Sequence, residues 1–157
     1  MAVETERKFL VNGDDWRELA TPRVMKQGYL SDDKRLAVRV RIAGDSAYLT
    51  VKGAKSGLSR LEYEYPIPVA DADELLDTLC QRPLIEKIRH TLIHQGTEWV
   101  VDEFLGENEG LIVAEVELDS EDQQVPLPGW AGQEVTDDTR YLNVNLVKHP
   151  FSQWSRD

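Results

Sequence analysis

Seven stretches of the chain alternate polar and apolar residues with a period of two: Val3–Val11, Leu36–Ile42, Ala47–Lys52, Arg60–Pro66, Ile85–Leu92, Glu98–Phe104 and Leu111–Leu118. Successive side chains of a strand point to opposite faces, so this alternation predicts strands with two unlike sides. Turn-forming runs separate several of them, at Ala43-Gly44-Asp45-Ser46, Gly53–Gly57, Gln95-Gly96-Thr97 and Gly106–Gly110. Helical patterns are fewer. Asp14–Ala20 predicts a short helix. Asp71–Cys80 predicts a better one, with Asp71 as N-cap, Glu74 at the capping-box position and Leu75, Leu76 and Leu79 as its apolar face. A further turn is expected over Ser120–Gln124, ahead of Pro126. A last helix is expected over Asp137–Lys148, capped by Asp137, stopped by Pro150, with Leu142 and Leu146 on one side. Helices do not alternate regularly with strands, so the pattern predicts an α+β, antiparallel or barrel-like domain rather than βαβ units.

Splitting each strand into its two faces brings out the chemistry. Glu4, Glu6 and Lys8 share one side of the first strand, against Val3, Thr5, Arg7, Phe9 and Val11. Arg39 and Arg41 oppose Val38, Val40 and Ile42; Lys52 shares a side with Thr50; Glu62 and Glu64 oppose Leu61, Tyr63 and Tyr65. Lys87 and Arg89 flank Ile88, Asp102 lies two residues before Phe104, and Glu115 and Glu117 alternate with Ala114, Val116 and Leu118. For any one pair, the solvated face of a half-exposed sheet explains the alternation equally well. The set is harder to explain that way, because many pairs are segregated by sign. Like charges two apart gain nothing from each other, and a structural ladder would mix them. The alternative is a closed barrel with its charged faces turned inward and its apolar faces outward against helices. Unpaired buried charges cost several kcal/mol each, so such a lumen needs a ligand that satisfies both signs. A polyphosphate with divalent metals does so.

Composition narrows the partners. At 157 residues the chain suits one domain, residues 1–157, with a somewhat low hydrophobic fraction of 41% and a high charged fraction of 30%. A net charge of −11 argues against a bulk nucleic-acid binder, and no apolar run approaches a membrane span. Met1-Ala2-Val3-Glu4-Thr5-Glu6 has neither a basic nor an apolar leader region, and Cys80 is the single cysteine, so a cytoplasmic, reducing setting is expected. There is no P-loop, no HxxxH-type metal motif and no Ser/His/Asp arrangement. His90, His94 and His149 read as surface or packing residues, and Cys80 as a buried helix residue.

The ordered charges carry a resemblance. Glu4-x-Glu6-x-Lys8 resembles the ExExK signature of the CYTH superfamily, also called the triphosphate tunnel metalloenzymes. Further matches follow in the family's order: Gln27-Gly28-Tyr29-Leu30, Arg39-x-Arg41, Lys52, Arg60-x-Glu62-x-Glu64, Lys87-x-Arg89, Asp102, Glu115-x-Glu117 and Thr139-Arg140-Tyr141-x-Asn143. The resemblance, to the bacterial short-chain inorganic triphosphatase type, covers about the whole chain. It implies an eight-stranded antiparallel β-barrel, the triphosphate tunnel, with peripheral helices and usually two Mg²⁺ or Mn²⁺ ions. Lys8, Arg39, Arg41, Lys52, Lys87 and Arg89 would bind phosphate. Glu4, Glu6, Glu62, Glu64, Asp102, Glu115 and Glu117 would supply the metal sites, directly or through water. Glu4, Glu6, Lys8 and Tyr29 would form the catalytic set, with Tyr29 contacting phosphate or water or else packing, and Arg140 would support the tunnel end. The implied reaction is hydrolysis of tripolyphosphate or another small triphosphate, with no nucleic acid or membrane partner; the family also admits a homodimer. Class IV adenylate cyclases, nucleoside or thiamine triphosphatases, and a non-catalytic polyphosphate-binding module remain alternatives. Trp16, Trp99, Trp130 and Trp154 are candidates to line an entrance, but short connections and the lack of an evident insertion favour a tunnel that recognises phosphate alone.

Overall fold

The computed structural model describes residues 3–33, 35–54 and 56–154. Met1 and Ala2 of the N-terminal reading, and Lys55 of the Gly53–Gly57 turn, lie outside the described residues. The strands are β1 (Val3–Val11), β2 (Thr21–Asp33), β3 (Leu36–Ala43), β4 (Ser46–Gly53), β5 (Ser59–Ile67), β6 (Ile85–His94), β7 (Thr97–Phe104), β8 (Ile112–Glu117) and β9 (Ala131–Glu134). The helices are α1 (Val69–Thr78) and α2 (Asn143–Lys148), with short 3₁₀ turns between strands and at the C-terminal end. Every strand pairing is antiparallel, and the order β5-β4-β3-β2-β6-β7-β8-β1 closes through β1–β5 into an eight-stranded barrel. Closure leaves no long unpaired edge. The edge of β1 away from β8 is shared: β5 pairs with Val3–Thr5, and β9 pairs with Phe9 and Val11.

Two strands do not show in the hydrophobic pattern. In β2, Gln27 is fully buried while Val24 is 65% exposed, and a register shift between Tyr29 and Ser31 breaks the period. A β-bulge of this kind erases alternation locally. The Ala131-Gly132-Gln133-Glu134 segment of β9 has no β-branched residue; it is a strand because β1 offers it an edge and Arg7 grips Glu134 through two hydrogen bonds of 3.0 and 2.8 Å.

The helices also differ from expectation. The Asp14–Ala20 segment is a 3₁₀ turn over Asp15–Leu19. Helix α1 starts two residues before Asp71, after Pro68, whose fixed φ suits a helix entry, so Asp71 lies in the first turn rather than at the cap. Ala72 and Leu76 form its buried face, and Leu79, beyond its end, is exposed. Ser120–Gln124 forms turns and no helix. The Asp137–Lys148 segment is split: Asp138, not Asp137, caps a 3₁₀ turn over Thr139–Tyr141, and extended Leu142 separates that turn from α2.

Three apolar clusters hold the barrel. Outside β1, β7 and β8, Phe9, Trp16, Trp99, Val101, Val116 and Trp130 pack together. Outside β3 and β4, Val40 and Ala47 pack against Ala72, Leu76 and Cys80. Each such large side chain contributes about 1.5–3 kcal/mol. The third cluster lies within the barrel. The inward row of β1 runs Glu4, Glu6, Lys8, Leu10, that of β8 runs Glu117, Glu115, Val113, and that of β6 runs Arg89, Lys87, Ile85. Toward one end charge gives way to apolar side chains, and there Ile85, Phe104 and Val113 are covered by Tyr141, Leu146 and Val147. The C-terminal segment therefore plugs that end, where the sequence predicts only a peripheral helix. Trp16, Trp99 and Trp130 are core residues, and Trp154 packs edge-on against Tyr141 and Phe151, so none of the four lines an entrance.

Gly28 marks a close approach between β2 and the end of α1. A Cβ there would stand 2.7 Å from Leu84 Cδ2 and 2.8 Å from Cys80 Cβ. Gly28→Ala is expected to lower stability by about 1–3 kcal/mol, read as a lower urea midpoint at unchanged slope. Among the described residues no helix is long and apolar enough to cross a membrane.

Candidate active site

Strand register decides which charges meet. Across the sheet, Tyr29 faces Arg39, Arg39 faces Thr50 and Thr50 faces Glu64. Lys52 faces Glu62, Arg60 faces Glu4, Glu6 faces Glu117, Lys8 faces Glu115 and Arg89 faces Asp102. Of the expected site residues, Glu4, Glu6, Lys8, Tyr29, Arg39, Arg41, Lys52, Glu62, Glu64, Lys87, Arg89, Glu115 and Glu117 all line one cavity of about 520 Å³ inside the barrel. That size is ordinary for a small-molecule site.

The two signs gather on facing sides of the barrel and meet at the flanks, where Arg39 Nη2 is 3.7 Å from Glu64 and Arg89 Nη2 is 3.9 Å from Glu115. In the strand order around the barrel β2 lies opposite β1. Arg39 and Arg41 on β3, with Lys87 and Arg89 on β6, flank β2; Glu62 and Glu64 on β5, with Glu115 and Glu117 on β8, flank β1 with its Glu4 and Glu6. Lys8, Lys52 and Arg60 are exceptions on or near the acidic side. There Lys52 Nζ is 3.1 Å from Glu4 and 4.0 Å from Glu62, and Lys8 Nζ is 3.3 Å from Glu115 and 3.8 Å from Glu6.

These pairs do not neutralise each wall. Burial, reinforced by Glu115, lifts Glu6 well above the usual carboxyl range against the pull of Lys8. Burial and a hydrogen bond with Glu4 push Glu62 up to about 7. Burial acts on Glu4 in the same direction, but the Glu62 hydrogen bond and Lys52 outweigh it and hold Glu4 low. Glu115 is likewise held at about 2, burial being overcome chiefly by Lys8. On the basic wall, burial and then the neighbouring Arg39 and Arg89 bring Arg41 down to about 9. Burial draws Lys87 well below the ordinary lysine range, Asp102 opposing while Arg89 and Arg41 add to the effect. Arg39 Nε is buried without a hydrogen-bond partner among the described residues. Crowded cations with an unanswered donor suit a polyanion; crowded carboxylates suit cations.

Asp102, expected among the metal ligands, lies behind the cavity wall. It is 1% exposed, is absent from the cavity lining, and has both oxygens engaged. Lys87 Nζ and Arg89 Nη2 donate to Oδ2 at 2.8 Å, and Arg89 Nε donates to Oδ1 at 2.8 Å. Its carboxylate is a buried counter-ion beneath two bases. Arg140 pairs with Asp138 at 2.6 Å and lies against Trp154, at the plugged end. His90 contacts Glu103 and packs on Trp16, outside the cavity.

The lining also holds residues not on the expected list. Arg60 and Glu98 extend the same alternations and are legible in the pattern. Asp119 lies past the end of β8, and Asn143 enters from the break before α2, where no periodic signal exists.

Among the described residues, no three carboxylate, imidazole or thiolate groups are close enough to form a ready-made metal cage. The donor set nonetheless fits hard divalent ions. Mg²⁺ takes one or two carboxylates and completes its shell with water and substrate phosphate, so it does not require such a cage.

The profile described as the CYTH domain matches residues 2–149. A protein of Acetivibrio thermocellus named inorganic triphosphatase is 53% identical over 154 residues, covering 98% of this chain and 99% of that protein. A second inorganic triphosphatase, from Nitrosomonas europaea, is 39% identical over 150 residues, covering 92% and 97%. A solved structure described as the inorganic triphosphatase NE1496 superposes with a TM-score of 0.63 at 33% identity, covering 91% of this chain and 96% of that one.

Proposed function

Because the chain belongs to the CYTH domain family, we propose that it hydrolyses inorganic tripolyphosphate to pyrophosphate and phosphate. The observation that carries this reading is the opposition of a basic and an acidic wall inside one closed barrel. A linear triphosphate lies against the basic wall, and the acidic wall opposite would hold the divalent cations, whose charge would offset that of the phosphates. Arg39, Arg41, Lys87 and Arg89 grip phosphate oxygens, with Lys8 and Lys52 reaching across from the acidic side. Arginine binds such oxygens in a planar fork and lysine as a point charge. Glu4, Glu6, Glu62, Glu115 and Glu117 would hold the metals, two Mg²⁺ or Mn²⁺ ions in our reading, with Glu64 at the exposed margin. When bound, those ions supply charge neutralisation and activation of the attacking water. Water oxygen bonds to a terminal phosphorus as the bridging P–O bond breaks, and pyrophosphate leaves. The basic wall neutralises charge on the transferring and departing phosphates and needs no reorganisation to do so. Asp102 aims Lys87 and Arg89 and favours the charged form of Arg89. Tyr29, opposite Arg39 at the inner limit of the cavity, contacts phosphate or its water.

Among the described residues the apolar lining is Ala37, Val100, Leu142 and Val144 beside Tyr29, with no tryptophan. That wall offers no broad platform for stacking a nucleobase or a thiazolium ring, which favours the inorganic substrate. The single cysteine suits a reducing compartment, and we place the reaction in the cytoplasm. Phosphate release from tripolyphosphate, ATP, thiamine triphosphate and pyrophosphate, each with Mg²⁺, Mn²⁺ or chelator, tests the reading. Tripolyphosphate should be cleaved fastest and chelator should abolish the rate. Cyclic AMP formed from ATP, or ligand-induced stabilisation without phosphate release, would replace it with a cyclase or a binding module.

A further inference from the structure

Asn143 is the last residue of the Thr139-Arg140-Tyr141-x-Asn143 motif, lines the cavity, and belongs to no barrel strand. Its Oδ1 accepts from Lys87 Nζ at 2.9 Å and from Gln27 Nε2 at 2.8 Å, and Gln27 Oε1 accepts from Arg41 Nε at 2.7 Å. A guanidinium only donates, so Arg41 at one end of this chain fixes the orientation of both amides. Gln27 must turn its oxygen to Arg41 and its nitrogen to Asn143, and Asn143 must turn its oxygen to Lys87. Both lone pairs of Oδ1 are then used. Among the described residues nothing accepts from Asn143 Nδ2.

We propose that Asn143 is a substrate-contacting residue, whose Nδ2 donates to a phosphate oxygen of the triphosphate while its Oδ1 orients Lys87 and, through Gln27, Arg41. Lys87 donates to Asp102 at 2.8 Å and to Asn143 at 2.9 Å, which holds its Nζ at the cavity wall. Gln27 of β2 thus links the cations of β3 and β6, and Asn143 brings the C-terminal plug into the binding site. This rests on the triphosphatase reading and adds a residue to it.

The test compares wild type, Asn143→Asp and Asn143→Ala for tripolyphosphate binding by calorimetry in chelator, and for kcat and KM with metal. Asn143→Asp keeps an oxygen for Lys87 and Gln27 but replaces the donor with an anionic oxygen. Its dissociation constant should rise about 30-fold or more, that of Asn143→Ala about tenfold, and the catalytic loss should fall mainly on KM. A purely structural role would spare Asn143→Asp, so wild-type affinity there overturns the inference. Thermal melting checks the fold; should Asn143→Asp fail to fold, unchanged affinity in Asn143→Ala overturns it instead. Wild-type protein that neither binds nor cleaves tripolyphosphate would overturn the functional reading and this inference together. Normal wild-type turnover with indifferent variants would overturn this inference alone.

Discussion

Glu6→Gln is expected to raise the melting temperature by about 2–4 °C while cutting tripolyphosphate turnover about 100-fold. Glu6 lies directly across the strand pair from Glu117 and on the same face as Glu4. Like charges so placed are destabilising, and burial sharpens the repulsion. Its attraction to Lys8 is the weaker opposing contact, at 3.8 Å against the 3.3 Å that Lys8 keeps to Glu115. Removing the charge therefore relieves repulsion worth about 1 kcal/mol. The same charge is what the acidic wall offers to metal, so the gain in stability comes with a loss of function, the trade-off common at active sites. Calorimetric melting and phosphate release on the same preparation decide it. A variant that melts lower and turns over normally would mean that Glu6 is a structural ion-pair partner and that the acidic wall does not hold metal through it.

Asp102→Asn should act in the opposite direction, lowering stability by about 3–5 kcal/mol. Removing one member of a buried ion cluster strands the others, and here two bases lose their counter-ion, one of them the 1%-exposed Lys87. Burial works against the Asp102 carboxylate, but Arg89 and Lys87 outweigh it and hold it well below the usual range. A carboxyl depressed in the folded state stabilises fully above its unfolded pKa near 3.9, and that contribution is lost as pH falls through the folded value. Wild-type stability should therefore drop steeply below about pH 4, and the Asp102→Asn protein should show a shallower acid limb. Urea midpoints at pH 7 and down the acid range measure both effects. An unchanged midpoint at pH 7 would remove Asp102 from its place beneath the bases.

Much of the barrel is legible along the chain. Alternation at Glu4-Glu6-Lys8, Arg39-Arg41 and Glu115-Glu117 places those residues on one strand face, because side-chain direction in a strand is a local property of the backbone. It was equally legible that so many charged faces call for an enclosed ligand. Strand β2 was hidden because it buries Gln27, exposes Val24 and carries a bulge. The terminal pattern predicts one continuous helix because the break at Leu142 answers to the barrel end it plugs rather than to local propensity.

What the sequence by itself determined is the membership of each face: which acids and bases travel together on which strand. Only the tertiary structure decided how those faces confront one another, because strand order and stagger are set by pairings between distant segments. That is why the acids on and around β1 stand opposite the bases of the two strands that flank β2. It is also why Asp102, which alternates in the chain like any metal-binding carboxylate, ends beneath Lys87 and Arg89 as their counter-ion. Asn143 reaches the same cavity from outside the sheet, where no periodicity could announce it.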